Sequence, residues 1–241
     1  MSRMFKELAY AATPLGELSL RRRRELTLDI DVYEIKLNDE FLMSSLFTEA
    51  EKELARLGLA DLKGEALDVV VGGLGLGYTA VEALKNQAVQ DLLVVDALEQ
   101  VITWHKEKIL PLGEILSEDP RCRFVHGDFF ELVKGEGLDP DMPLRQFHAI
   151  LLDIDHSPRF TLHPSHDSFY TLEGLKRLKS FLLPGGVFAL WSNDPPDEEF
   201  RQLLEAVFAD VQTHIVTFEN LHQNGDSTNT VYVSRKAGTL P

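Results

Sequence analysis

One stretch limits what this chain can fold into: Leu67-Asp-Val-Val-Val-Gly-Gly-Leu-Gly-Leu-Gly-Tyr-Thr-Ala80. A β-branched apolar run enters glycines at 72, 73, 75 and 77, and a helical pattern follows from Thr79 to Leu84. That order is strand, tight turn, helix. Gly73, Gly75 and Gly77 are spaced so that backbone approaches a bound nucleoside and the helix lies close to the strand. The pattern gains meaning when an acid ends the next strand. Asp91-Leu-Leu-Val-Val95 is that strand and Asp96 ends it, 19 positions after Gly77, close to the roughly 20 at which an acid binds ribose hydroxyls.

From Leu67 onward, apolar strands alternate with helical patterns, which predicts a doubly wound, mostly parallel sheet. Arg121 to Val125 is a third strand, followed by Gly127-Asp128. A carboxylate there accepts from an adenine amino group, caps the next helix, or does both, and Phe129 or Phe130 lies against the base. The fourth strand, Phe147-His-Ala-Ile-Leu-Leu-Asp153, runs into Asp153-Ile-Asp155-His156. Acids at the carboxyl end of a central parallel strand face the ligand crevice, so Asp153 and Asp155 are the leading chemical residues. His156 to Ser168 reads as a mobile substrate loop, since its histidines match no compact metal-ligand spacing. Leu172 to Leu182 patterns a helix stopped by Pro184-Gly-Gly186, and Val187 to Trp191 is a fifth strand. Asp194-Pro195 reads as a cap and first helical residue before Phe200 to Phe208. Val211 to Phe218 and Thr230 to Val233, either side of Asn224-Gly225-Asp226, form a closing antiparallel pair. His105, on the apolar face of the helix around Val101, reads as a core or boundary residue.

Residues 1 to about 46 read as β-rich, with a turn at Thr13-Pro-Leu-Gly16, a short strand at Leu18 to Leu20 and an alternating strand at Leu26 to Val32. Thr48 with Glu51 spells a capping box for a helix to about Leu57. The division expected is 1–60, a β-rich subdomain with a linking helix, and 61–241, a nucleoside-binding catalytic domain. Net charge is −15, which argues against a nucleic-acid partner and favours a cationic or neutral small substrate. The Arg21 to Arg24 run in so acidic a chain reads as a solvated edge or an inter-subunit salt-bridge donor. A single cysteine, Cys122, excludes a disulfide framework and a multi-cysteine zinc site, and fits a reducing cytoplasm. No run approaches membrane-spanning length and no apolar signal core follows the N-terminus, so a cytoplasmic protein without a membrane partner is expected.

Several of these motifs, taken in register, resemble the spermidine synthase (polyamine aminopropyltransferase) family. Leu28 to Phe41, ending in Asp39-Glu-Phe41, is similar to the family's strand into an Asp-Glu motif. Val70 to Gly77 takes the place of its glycine loop, and Val95-Asp96 that of its ribose-binding segment. Asp119-Pro-Arg-Cys-Arg-Phe-Val-His-Gly-Asp128, Leu151-Leu-Asp153, Phe169-Tyr170 and Leu183-Pro-Gly-Gly186 follow in the family's order. The resemblance implies a Rossmann-like class I methyltransferase fold, with a seven-stranded sheet, helices on both faces and a small N-terminal β-rich subdomain. It also implies a homodimer. Three departures bear on the acceptor. Gly75 stands where the family usually carries an Asp that meets the donor's amine, Met43-Ser44-Ser45 replaces Tyr-His-Glu or Tyr-Gln-Glu, and Asp153-Ile-Asp155-His-Ser-Pro158 replaces Asp-x-x-Asp-Pro.

The expected chemistry is group transfer from a sulfonium nucleoside to a small-molecule amine, with no metal. Gly72, Gly73, Gly75 and Gly77 cradle the donor, Asp96 holds its ribose, and Asp128 with Phe129 its adenine. Asp153 takes the ammonium proton, Asp155 holds a second positive centre or raises the Asp153 pKa, and Tyr170 bonds the amine. The donor is decarboxylated S-adenosylmethionine for aminopropyl transfer, or S-adenosylmethionine itself for methyl transfer, which Gly75 permits. A silent nucleoside-binding or assembly protein is the alternative of another class. The glycines alone would permit a dinucleotide reader, but Gly127-Asp128 and the closing strand pair favour the sulfonium nucleoside.

Overall fold

The computed structural model describes residues 4–38, 40–220 and 225–238. The chain opens as an antiparallel meander of four strands, β1 (Phe5–Thr13), β2 (Gly16–Glu25), β3 (Ile30–Leu37) and β4 (Glu40–Ser44). The arginine run lies within β2, so this strand is longer than Leu18 to Leu20. The alternation read from Leu26 is instead a turn with Asp29 at φ 54°, after which β3 starts. The arginines find partners inside this sheet: Arg23 with Glu34 at 2.7 Å and Arg24 with Asp29 at 2.6 Å. Asp39 of the Asp-Glu-Phe motif lies outside the described residues, as does Asn224 of the last turn.

Helix α1 (Glu49–Leu59) leads into the larger sheet. The alternation then runs β5 (Leu67–Gly72), α2 (Tyr78–Leu84), β6 (Val89–Asp96), α3 (Glu99–Lys106), α4 (Gly113–Glu118), β7 (Cys122–His126), α5 (Phe129–Lys134) and β8 (Phe147–Leu152). After a loop come α6 (Leu172–Ser180), β9 (Leu182–Ser192), α7 (Glu198–Glu205), β10 (Asp210–Asn220) and β11 (Gly225–Arg235). Strand order is β10-β11-β9-β8-β5-β6-β7. The five strands from β9 to β7 are parallel, while β11 is antiparallel to both β9 and β10. This is the expected seven-stranded sheet, with the closing antiparallel pair at its edge.

Strand periodicity divides the core between the two faces. Leu67, Val69 and Val71 of β5, with Leu92 and Val94 of β6, point to the side holding α1 to α4. Val70, Leu93 and Val95 point to the side holding α5 to α7. Leu18, Leu20 and Ile35 of the first sheet join the former cluster, so the meander is seated on the core that α1 completes.

Three local expectations are corrected. Thr48 precedes α1 but its side chain makes no cap bond; its N–H donates to the Glu49 carboxylate at 2.9 Å, because Glu51 is turned toward the sheet. Helix α7 is capped by Asp197, which accepts from Glu199 and Phe200 N–H, rather than by Asp194. Pro184-Gly-Gly186 lies inside β9, whose irregular pairing with β8 absorbs it, and α6 has already ended at Ser180.

Candidate active site

At the carboxyl end of β5 the chain turns through Gly73, Gly75 and Gly77, with φ of 96°, 45° and 91°. A side chain would be strained at each. Gly73 is also a close approach: a Cβ there would lie 2.0 Å from the Asp153 carbonyl oxygen. The loop is tied to its neighbours, since Gly73 N–H donates to Val95 O at 2.9 Å and Asp153 N–H to Gly72 O at 2.8 Å. Asp96 clamps it from the side, accepting from Leu74 N–H on Oδ2 at 2.8 Å and from Leu98 N–H on Oδ1 at 2.7 Å. Burial pushes the Asp96 pKa up, against the pull of those donors.

His105 supports the loop from beneath, as a buried residue at the predicted position. Its Nε2–H donates to Gly75 O at 2.9 Å, and burial pushes its pKa down to about 4, so the ring is neutral. Above the loop, Leu76 N–H lies 2.6 Å from the Met43 thioether sulfur. A Cβ on Gly75 would meet that sulfur at 2.5 Å. Met43 therefore occupies the space into which a side chain at position 75 would grow.

Asp128, at the end of β7, caps α5 through Oδ1 alone, accepting from Phe130 N–H at 2.8 Å and Glu131 N–H at 3.2 Å. Its Oδ2 takes no part in the cap, so both expected roles fit one carboxylate. Phe129 is buried against the loop, within 2.7 Å of a Cβ placed on Gly72. Phe130 stacks on His166 with ring centroids 3.9 Å apart.

At the end of β8, Asp153 Oδ2 accepts from Thr79 Oγ1–H at 2.7 Å. The same hydroxyl lies 3.3 Å from the backbone oxygen of Glu51, which brings α1, α2 and β8 to one point. Burial pushes the Asp153 pKa up to about 6. Burial, and next the charge of Asp153, push Glu51 up to about 8. These two carboxyls form one anionic locus. Gly58 makes it possible: a Cβ there would be 2.5 Å from Leu151 Cδ2, so α1 lies directly on β8. Glu51, two turns earlier and about 10 Å along the helix, then reaches the strand end.

The cavity enclosed by these elements measures about 600 Å³, within the range of small-molecule sites. Gly73, Gly75, Asp96, Asp128, Phe129 and Asp153 all line it, as the spacing of the strand ends implies. Gly72, Gly77, Asp155 and Tyr170 do not. Asp155 is 2% exposed and accepts from Leu162 N–H at 2.7 Å, His166 Nδ1–H at 2.8 Å and the Tyr170 hydroxyl at 2.9 Å. Tyr170 has its pKa pushed well above the usual range by burial and by this carboxylate. The pair holds the 156–168 loop from behind, because the strand ends at Leu152 and its alternation no longer aims Asp155 at the crevice. Sequence reasoning missed Glu51, Thr79, Met43 and His166. For Glu51 the signal was a charged residue on the inward stripe of α1 with Ala55 and Gly58.

No family model matches the chain. It is 26% identical over 219 residues to a polyamine aminopropyltransferase of Synechococcus, covering 87% of this chain and 65% of that protein. It is 26% identical over 183 residues to a polyamine aminopropyltransferase of Sulfolobus acidocaldarius, covering 70% and 56%. The chain thus spans somewhat less than two thirds of the length of these relatives. Among solved structures it is similar to a spermidine synthase in complex with the transition-state analogue AdoDATO, with TM-score 0.71, 17% identity and coverage of 96% and 74%. It is also similar to spermidine synthase from Thermotoga maritima, with TM-score 0.70, 18% identity and coverage of 96% and 73%. The chain is spermidine-synthase-like: it has that fold, and its sequence is similar to those of polyamine aminopropyltransferases.

Proposed function

We propose that this protein transfers an aminopropyl group from decarboxylated S-adenosylmethionine to a polyamine or another amine. One observation carries the choice of donor. Among the described residues lining the cavity there is no lysine or arginine, against five carboxyl groups, those of Glu51, Asp96, Glu99, Asp128 and Asp153. The carboxylate of the intact donor would find no lysine or arginine to pair with, while a donor that lacks it suits so acidic a lining. The names of the relatives support aminopropyl over methyl transfer and over a silent binding protein.

In this reading the glycine loop lets the nucleoside approach the backbone, Asp96 turns toward its ribose hydroxyls, and Asp128 Oδ2 accepts from its adenine amino group beside Phe129. The cavity fits such a group by volume. Asp153, with Glu51 beside it, takes the proton of the attacking ammonium. The freed lone pair forms a C–N bond to the propyl carbon next to sulfur. The C–S bond breaks with its electrons going to sulfur, so the sulfonium leaves as a neutral thioether and needs no acid. Asp155 and Tyr170 act by positioning the loop that closes the cavity. We also read the protein as a cytoplasmic homodimer, with Phe5, Tyr10 and Phe41, each about half exposed on the meander, as the contact.

Calorimetry with the two donors tests the choice. Tighter binding of the decarboxylated form is expected, and tighter binding of intact S-adenosylmethionine would favour methyl transfer instead.

A further inference from the structure

His166 joins the cavity to the buried carboxyl behind its wall. The residue lines the cavity and is 9% exposed. Its Nδ1–H donates to Asp155 at 2.8 Å, and that carboxyl is fixed in turn by Leu162 N–H and the Tyr170 hydroxyl. One face of the ring is stacked on Phe130, with planes 24° apart. These contacts set position and tautomer together, since a neutral imidazole that gives its Nδ1 proton to a carboxylate keeps a lone pair on Nε2. The two nitrogens lie on either side of Cε1, so Nε2 points away from Asp155, from the rear of the loop toward the cavity. Among the described residues Nε2 has no hydrogen-bond partner, and it is not sealed from solvent.

The neighbours of this open acceptor identify what it meets. Phe130, against the ring, lies two residues past Asp128 and gives its N–H to Asp128 Oδ1 at 2.8 Å. The ring's own contacts run to Asp155, Phe130 and His163, and none reaches Asp153 or Glu51 among the described residues. His166 therefore belongs with Asp128, whose Oδ2 is outside the helix cap. A 6-aminopurine carries two N–H groups on its exocyclic nitrogen, whereas a 6-oxopurine would turn an oxygen toward both acceptors and leave them unpaired. Resting on the aminopropyl-transfer reading and its adenine nucleoside donor, we infer that His166 determines nucleobase specificity. Asp128 Oδ2 accepts one N–H of the 6-amino group and His166 Nε2 the other. Asp155, held by Tyr170, is the positioning residue that keeps the imidazole in its accepting tautomer.

The test is calorimetry at about pH 8, where an ordinary imidazole is neutral, with 5′-methylthioadenosine, its 6-methylamino derivative and 5′-methylthioinosine. The unaltered protein should bind 5′-methylthioadenosine at least about 100-fold more tightly than the inosine analogue, as two lost hydrogen bonds imply. The 6-methylamino derivative keeps one N–H and should bind about tenfold more weakly than its parent. His166→Phe keeps the stack on Phe130 and removes Nε2, so discrimination against the inosine analogue should fall to about tenfold. His166→Gln, whose side-chain oxygen reaches the place of Nε2, should recover most of it. Tight 5′-methylthioadenosine binding with discrimination unmoved in His166→Phe, or equal binding of the 6-methylamino derivative by the unaltered protein, overturns the inference alone. So does a fall in kcat in His166→Phe with discrimination intact, which would put the ring at the amine. Binding of none of the three nucleosides would break the donor reading and the inference with it.

Discussion

On the β6–β7 side of the cavity, Asp96 and Asp128 each accept two backbone N–H groups. On the β8–β9 side, Asp153 accepts from one threonine hydroxyl, and Glu51 faces it as a second carboxyl with a raised pKa. The first arrangement fixes carboxylate oxygens in place, which in the proposed function read hydroxyls and an amino group. The second leaves two acids undercompensated until a cation arrives, which is the condition of a base that must take a proton from an ammonium. In the proposed function the first is the side that binds and the second the side that reacts.

The largest effect should come from Asp153→Asn. It removes the proposed proton acceptor and should lower kcat by about 10²- to 10⁴-fold, with donor Kd in calorimetry nearly unchanged. Donor binding lost in a folded variant would place Asp153 on the binding side and erase the distinction.

Asp96→Ala strikes the other side. It orphans the Leu74 and Leu98 N–H groups, and each such bond to a charged acceptor contributes about 1.5–3 kcal/mol. Donor Kd should rise by about 10- to 100-fold, with kcat at saturating donor changed far less.

Glu51→Gln sharpens the account through pH. The pair titrates in two steps, near 6 and near 8, and the variant should lose the upper step from the kcat profile. Stability gives a second readout. A carboxyl whose folded pKa lies above its unfolded value binds its proton more tightly in the native state. Its contribution is therefore full below the unfolded pKa near 4.5 and is lost as pH rises toward about 8. Glu51→Gln should flatten that decline and leave the protein more stable than the wild type at pH 8.5, on the order of 2 kcal/mol by urea denaturation.

Tyr170→Phe should have the smallest effect. It deletes one hydrogen bond to Asp155 and should cost about 1 kcal/mol of stability, while kcat falls by less than about threefold. A loss of kcat above tenfold with unchanged stability would return Tyr170 to the amine.

What the sequence made legible follows from the range of each contact. The glycine turn, Asp96 and Asp128 are set by the strand each one follows, so spacing along the chain locates them. Asp153 was legible for the same reason. Asp155 was not, because β8 ends at Leu152 and the direction of a side chain two residues past a strand depends on the loop that covers it. Glu51 reaches Asp153 only because Gly58 lets α1 lie on Leu151, a contact between residues far apart in sequence. The two apparent caps failed for related reasons. Thr48 gives way to a local bond from its own N–H to Glu49 while Glu51 faces the cavity, and Asp197, three residues past Asp194, has the geometry to accept from the first free N–H groups of α7. The glycine loop itself reads differently with Met43 beside it, since the thioether takes the room that a side chain at position 75 would need.

The most direct measurement is mass spectrometry of the protein incubated with amines and, separately, decarboxylated and intact S-adenosylmethionine. The account predicts an aminopropylated amine and a methylthio nucleoside from the decarboxylated donor, absent in Asp153→Asn, and no product from the intact donor. A methylated amine formed from intact S-adenosylmethionine would contradict it.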